Sequence, residues 1–296
     1  MTNNYSLKSM GLGAIKILLF LFLNLLLQRI LLIPLSSISK EYWSHLDGRG
    51  LNEPWFISNC IISLLSAVVV CYLFLKYFDK KKWDYVRFTF DNYAKLFSLG
   101  TVIAAVLIIV FTFINSVAGN IELSFNFGPM AKILIYFLVL IFGLIAVVTY
   151  EELIFRGYIL KTLEHHFNKI TAVLVSSLLF SAAHFLRPNA SFLGFANIFL
   201  AGVFLAIICL HFNNLWIPTG FHFGWNFFLW FFNYPVSGQT YPNPVLKLDY
   251  NSYNMVVGSK FGPEESVVLT VLLILIIGYF LFRYRSDMKI KFAAGK

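Results

Sequence analysis

Charge is scarce in this chain: 12% of its 296 residues are charged, against 59% hydrophobic and a mean hydropathy of +0.75. An ordinary soluble domain carries about 25% charged residues, so that class is excluded and the bilayer becomes the solvent to reason in. Cysteine is scarce too. Cys60, Cys71 and Cys209 all fall inside apolar runs with no CxxC pair, which excludes a disulfide framework and reads as packing. Aspartate is missing from those runs: Asp47, Asp79, Asp84, Asp91, Asp249 and Asp287 lie outside them, leaving an intramembrane aspartyl dyad without candidates. No GxSxG elbow and no HExxH pair occurs, which removes the common serine-hydrolase and zinc-helix signatures. No repeat or low-complexity tract is visible.

Lysine and arginine (23) outnumber aspartate and glutamate (14). On a polar fold that excess would point to nucleic acid, but here the basic residues flank apolar runs, where they anchor against lipid headgroups. Membrane lipid is the expected partner and nucleic acid is not. A span needs about 20 apolar residues, and eight stretches qualify, near 15–35, 55–78, 96–115, 131–152, 170–186, 193–212, 215–233 and 265–283. The expected fold is therefore an all-α polytopic membrane protein of about eight helices. The first stretch is too long for a signal-peptide core and includes Asn24, Gln28 and Arg29, so it reads as a retained span, with Arg29 snorkelling to the outer surface. The fifth and seventh are polar or interrupted by Pro218, Gly220 and Gly224, which predicts interior helices. Lys76, Lys80, Lys81, Lys82, Arg87 and Lys95, with Arg283, Arg285, Lys289 and Lys291, place both termini in the cytoplasm by the positive-inside rule. The connection 233–265 then lies outside, with Pro263-Glu264-Glu265 opening the last helix.

Against this apolar background three motifs stand out: Glu151-Glu152-Leu153-Ile154-Phe155-Arg156-Gly157, Phe180-Ser181-Ala182-Ala183-His184, and His222-Phe223-Gly224-Trp225-Asn226. Ionisable groups at membrane depth are costly and mark a functional site by default. Glu152 and Arg156 are i and i+4, the favourable order for an ion pair. Glu151 is rotated about 100° from Glu152 and stays available as a base for water. Hydrolysis of an amide needs an activated water, a proton for the leaving nitrogen and donors for the oxyanion. Glu151 and His184 suit the first task; His222 and Asn226 suit the last. Two histidines and a glutamate also form a common catalytic zinc set, so a divalent metal, zinc, held by Glu151, His184 and His222 stays open. Glu164, His165 and His166 form a second cluster, read as an interfacial loop.

The ordered set EExxxR, FxxxH and HxxxN resembles the CPBP family, the CAAX-protease and bacteriocin-processing group of membrane proteases, also called Abi. The resemblance covers about residues 130 to 235 and divides the chain into helices one to three (1–125), a catalytic core (126–235), and an outer loop, last helix and basic tail (236–296). It implies a conical polar cavity formed by helices four to seven. The implied activity is that of an intramembrane (metallo)endopeptidase, acting on prenylated CAAX proteins or on bacterial peptide and bacteriocin precursors, in the cell membrane of a bacterium. By motif position Glu151 activates water, His184 assists, His222 and Asn226 bind the oxyanion or a metal, and Glu152 with Arg156 support the helix. The alternatives are a non-catalytic scaffold or bacteriocin-immunity protein of the same fold, and a small transporter using Glu151 and His184 as a proton relay. One mismatch follows from the predicted spans: Glu151 falls about 28 Å along the fourth helix, near its cytoplasmic end, whereas His184 falls about 21 Å into the fifth; the helix of the fourth span is expected to continue past Gly157, with His165 and His166 at an interface.

Overall fold

The computed structural model describes residues 6–38, 53–185, 187–251 and 253–294. The helices in chain order are α1 (Leu7–Ile38), α2 (Glu53–Leu73), α3 (Tyr93–Val117), α4 (Met130–Glu152), α5 (Leu160–His166), α6 (Lys169–His184), α7 (Phe192–Phe212), α8 (Trp216–Phe231) and α9 (Val267–Ala294). Each predicted apolar run is helical, and α5 is the addition. The stretches Leu7–Pro34, Phe56–Asp79, Tyr93–Val117, Met130–His166 and Phe192–Phe212 are long and apolar enough to cross a membrane; Lys169–His184 and Val267–Arg283 are shorter apolar helices. This is an all-α polytopic membrane protein. The one sheet among the described residues, not expected from the sequence, pairs β1 (Ile121–Phe125) antiparallel with β2 (Leu246–Tyr250), Ile121 opposite Tyr250 and Phe125 opposite Leu246. Leu-Lys-Leu-Asp-Tyr alternates as a strand should, and its Leu248 is buried beside Ile121 in one cluster.

Helices α1 and α2 carry no site motif, and the structure shows what they hold. The polar groups of α1 meet α2 as interhelical glue: Asn24 Nδ2 donates to Ser66 Oγ (3.3 Å) and Gln28 Nε2 to Ser63 Oγ (2.5 Å), bonds worth about 0.6 kcal/mol each in membrane helices. Tyr150 donates its hydroxyl to Asn24 Oδ1 (3.4 Å), which ties α1 to the residue before Glu151. Phe20 stacks on Tyr158 at 4.1 Å, whose hydroxyl donates to Asp79 Oδ2 (3.1 Å); Asp79 also pairs with Lys16. Arg29 is exposed on α1.

Helix α3 supports α8 more intimately. A Cβ at Gly100 would lie 2.2 Å from the Ile217 carbonyl oxygen, and one at Gly220 2.0 Å from the Phe97 carbonyl oxygen. Only glycine permits such backbone approach, the small-residue packing that membrane helices favour. Thr101 Oγ1 spans the crossing, 2.9 Å from the Phe97 carbonyl and 3.1 Å from that of Gly220. Gly220→Ala gains about 1 kcal/mol of helix propensity but forces a collision with backbone, and overpacking costs about 1–3 kcal/mol or more. We expect a lower unfolding temperature in detergent for Gly220→Ala; an unchanged or raised one would show that the crossing is looser than this.

Residues 217–225 of α8 are buried on all sides, as predicted for an interior helix. Helix α6 departs from that prediction. It buries Ser176, Ser177, Phe180, Ser181 and His184 but exposes Ile170, Leu174 and Leu178, an i, i+4, i+8 stripe that suits lipid. The last predicted residue of that span, Leu186, lies outside the described residues.

Candidate active site

Glu151 and Glu152 end α4, and the chain continues through a π-helical segment, Leu153–Ile159, into α5. Wide π turns recur at functional sites; this one follows the carboxylate pair directly. Because the helix runs on to His166 instead of stopping at 152, Glu151 stands 15 residues before the α5–α6 turn (166 − 151) and His184 15 residues into α6 (184 − 169). Both are therefore about 22 Å from that turn at 1.5 Å per residue, and the predicted depth mismatch disappears.

The two histidines converge on one oxygen. Glu151 Oε2 is 3.8 Å from His184 Nε2 and 3.8 Å from His222 Nε2, and it is buried with no hydrogen-bond partner among the described residues. The far nitrogens are fixed. His184 Nδ1 lies 2.9 Å from the Phe180 carbonyl oxygen and His222 Nδ1 2.9 Å from Glu152 Oε1. Both partners only accept, so each Nδ1 carries the proton and each Nε2 is turned toward Glu151. A separation of 3.8 Å is too long for a direct hydrogen bond.

Glu152 does more than the helical pairing predicted. Arg156 Nη1 donates to its Oε1 at 3.0 Å, with both side chains within 1% of full burial, and the same oxygen accepts from His222 Nδ1. The ion pair therefore also orients the imidazole. Arg156 Nη2 reaches the Gly202 carbonyl (3.4 Å), and the guanidinium lies 4.0 Å from the centre of the Phe180 ring, a cation–π contact. Gly202 lets α7 close on α6 here, since a Cβ there would meet Ser177 Cβ at 3.0 Å.

Beside these groups is a cavity of about 50 Å³ whose polar wall comprises His184, Asn197, His222, Asn226, Ser237 and Glu264, the rest being apolar. Asn226, one turn beyond His222, thus faces the same space as both histidines. Glu264, Ser237 and Asn197 were not among the predicted site residues. Pro263–Glu265 forms a separate 3₁₀ turn and α9 begins only at Val267, so Glu264 does not open the last helix; it is 5% exposed and turned inward. No sequence signal distinguishes it, because Pro-Glu-Glu is ordinary helix-start composition.

The donor types of Glu151, His184 and His222 suit zinc, and their atoms stand 3.8 Å from Glu151 Oε2 to each Nε2. Tetrahedral bonds of 2.0–2.1 Å put ligand atoms about 3.4 Å apart, and among the described residues no group of three or more His, Cys, Asp or Glu side chains is placed to hold an ion. The second cluster is structural: Glu164 Oε2 pairs with Arg87 Nη2 at 2.5 Å, and His166 Nδ1 is 2.9 Å from Ser9 Oγ. Arg187, three residues after His184, is half-buried.

Residues 132–228, a third of the chain, match the family model for type II CAAX prenyl endopeptidases of the Rce1-like kind. The matched segment runs from α4 through α8 and contains all three motifs. No curated protein matches the chain. The match supports a protease of the CAAX type held in the membrane.

Proposed function

We propose that this protein is an intramembrane endopeptidase that hydrolyses a peptide bond in a membrane-associated substrate, a CAAX-type prenylated protein or a bacterial peptide precursor, with water as nucleophile. The observation that carries the reading is the Glu151 oxygen facing two imidazole nitrogens at 3.8 Å each. A water placed there hydrogen-bonds to Glu151 and to His184 Nε2, and Glu151 takes its proton as it attacks the substrate carbonyl. His222 and Asn226 serve the oxyanion. Donation from His222 Nε2 requires the ring to carry both protons, and Glu152 against Nδ1 supplies the counter-charge. No step here runs through a metal. The basic connections support cytoplasmic termini by the positive-inside rule, and the membrane of this reading is the cell membrane of a bacterium.

The test is cleavage by purified protein in liposomes, in water enriched in heavy oxygen, of a prenylated CAAX peptide, its unprenylated form and a bacterial leader peptide. One heavy oxygen is expected in the new carboxyl group of at least one product. All three peptides remaining intact, or a product without label, would overturn the reading. In the same assay, dialysis against a strong chelator is expected to leave the rate within about twofold; loss of activity restored by added zinc would restore the metal to Glu151, His184 and His222.

A further inference from the structure

The mechanism above names a base for water but no donor for the departing nitrogen. One group in the cavity is free for that task. Glu264 is 5% exposed; its Oε1 accepts from Trp225 Nε1 (3.3 Å) and Ser237 Oγ (3.2 Å), and its Oε2 is buried with no partner among the described residues. It lies outside the matched segment, yet it shares a cavity wall with His184, His222 and Asn226. Its hold on the site is rigid. Asn197 Nδ2 donates to the carbonyls of Glu264 and Ser266, both at 2.9 Å, and Thr270 Oγ1 donates to Asn197 Oδ1 at 2.7 Å. Trp225, its indole partner, sits between His222 and Asn226 on α8.

A buried carboxyl with an oxygen no donor reaches is costly as an anion and satisfied as an acid, which can itself donate. Burial pushes the Glu264 carboxyl up from 4.5 to about 7, against the hydrogen bonds from its own backbone, Trp225 and Ser237. The titratable groups that face it are His184 on α6, His222 on α8, Tyr241 in the loop and Tyr250 on β2; the nearby residues of α7 and α9, Asn197 and Thr270, are uncharged. Two carboxyls at one site with environments that differ in this way divide into a base and an acid.

We propose that Glu264 is the proton donor of the site, giving its proton, directly or through cavity water, to the nitrogen that leaves when the peptide bond breaks. The cavity's 50 Å³ exceeds the roughly 15 Å³ that one water needs on this measure, so a short relay fits. The balance closes: water's oxygen bonds to the carbonyl carbon, its proton passes to Glu151, the carbon–nitrogen bond breaks, and the nitrogen takes the Glu264 proton. The proton held by Glu151 then returns to Glu264 through cavity water. This assignment rests on the peptidase reading.

The test compares an amide substrate with an activated ester of the same acyl group, whose leaving group needs no proton. Glu264→Gln keeps the bonds to Trp225 and Ser237 and is expected to slow amide hydrolysis by about 10²–10⁴-fold while leaving ester hydrolysis within a few-fold. The decline of amide turnover as pH rises through about 7 should vanish in that variant. Glu264→Asp, still an acid, should retain part of the amide rate. Infrared difference spectra of wild type against Glu264→Gln should show a protonated carboxyl lost by the substitution. Equal losses on amide and ester, or no loss on either, would overturn the donor role and leave the peptidase standing. A wild type that cleaves neither substrate would overturn both.

Discussion

Glu151→Gln is expected to lower peptide hydrolysis by about 10²–10⁴-fold, the range for loss of a general base, while its unfolding temperature and behaviour in detergent match the wild type. The substitution keeps shape and one oxygen but removes the capacity to take a proton. It should be structurally silent because Glu151 Oε2 makes no hydrogen bond to a described residue and meets the two imidazoles only at 3.8 Å. The neighbouring position behaves differently. Glu152 holds both Arg156 and His222, so Glu152→Ala should lower folded yield as well as rate. The measurement is turnover of the cleaved peptide alongside thermal unfolding for each variant. Turnover by Glu151→Gln within tenfold of wild type would move the base elsewhere.

Arg156→Ala is expected to cost about 3–5 kcal/mol of stability, the penalty for leaving a buried charge without its partner. Against a typical total of about 5–15 kcal/mol, that removes much of the margin. Glu152 is fully buried, so no solvent replaces the guanidinium, and the contacts of Arg156 with Gly202 and the Phe180 ring are lost as well. Neutralising both ends separates charge from volume. Arg156→Met combined with Glu152→Gln leaves no buried ion, keeps an oxygen for His222 Nδ1, and should unfold well above Arg156→Ala while remaining slow in catalysis. Equal unfolding temperatures for the two variants would show that packing around Arg156, not its charge, carries the stability.

The sequence made visible whatever is local or long. Runs of about 20 apolar residues locate the helices, and i, i+4 spacing located the Glu152–Arg156 pair. The continuation of the fourth span's helix past Gly157 was legible, but its end was not, because beyond residue 152 the helix leaves apolar composition, with Arg156, Lys161, Glu164, His165 and His166, yet keeps its hydrogen bonding to His166. That extension is what levels Glu151 with His184. The Glu152–His222 bond spans 70 residues and has no periodic signature. Glu264 is hidden for a similar reason: it is brought to the cavity by the long connection after α8 and by the Asn197 clamp, neither of which a one-dimensional pattern contains.

The α3–α8 crossing has a consequence for motion. With carbonyl oxygens standing where side chains would begin at Gly100 and Gly220, neither helix can slide or turn against the other without backbone collision. His222 therefore rides on a stationary wall, and amide hydrogens between Ile217 and Gly224 should be among the last in the protein to exchange with deuterium. Any breathing that opens a path to Glu151 has to come from the remaining walls, so the His222 side of the site keeps its alignment while the opposite side opens and closes.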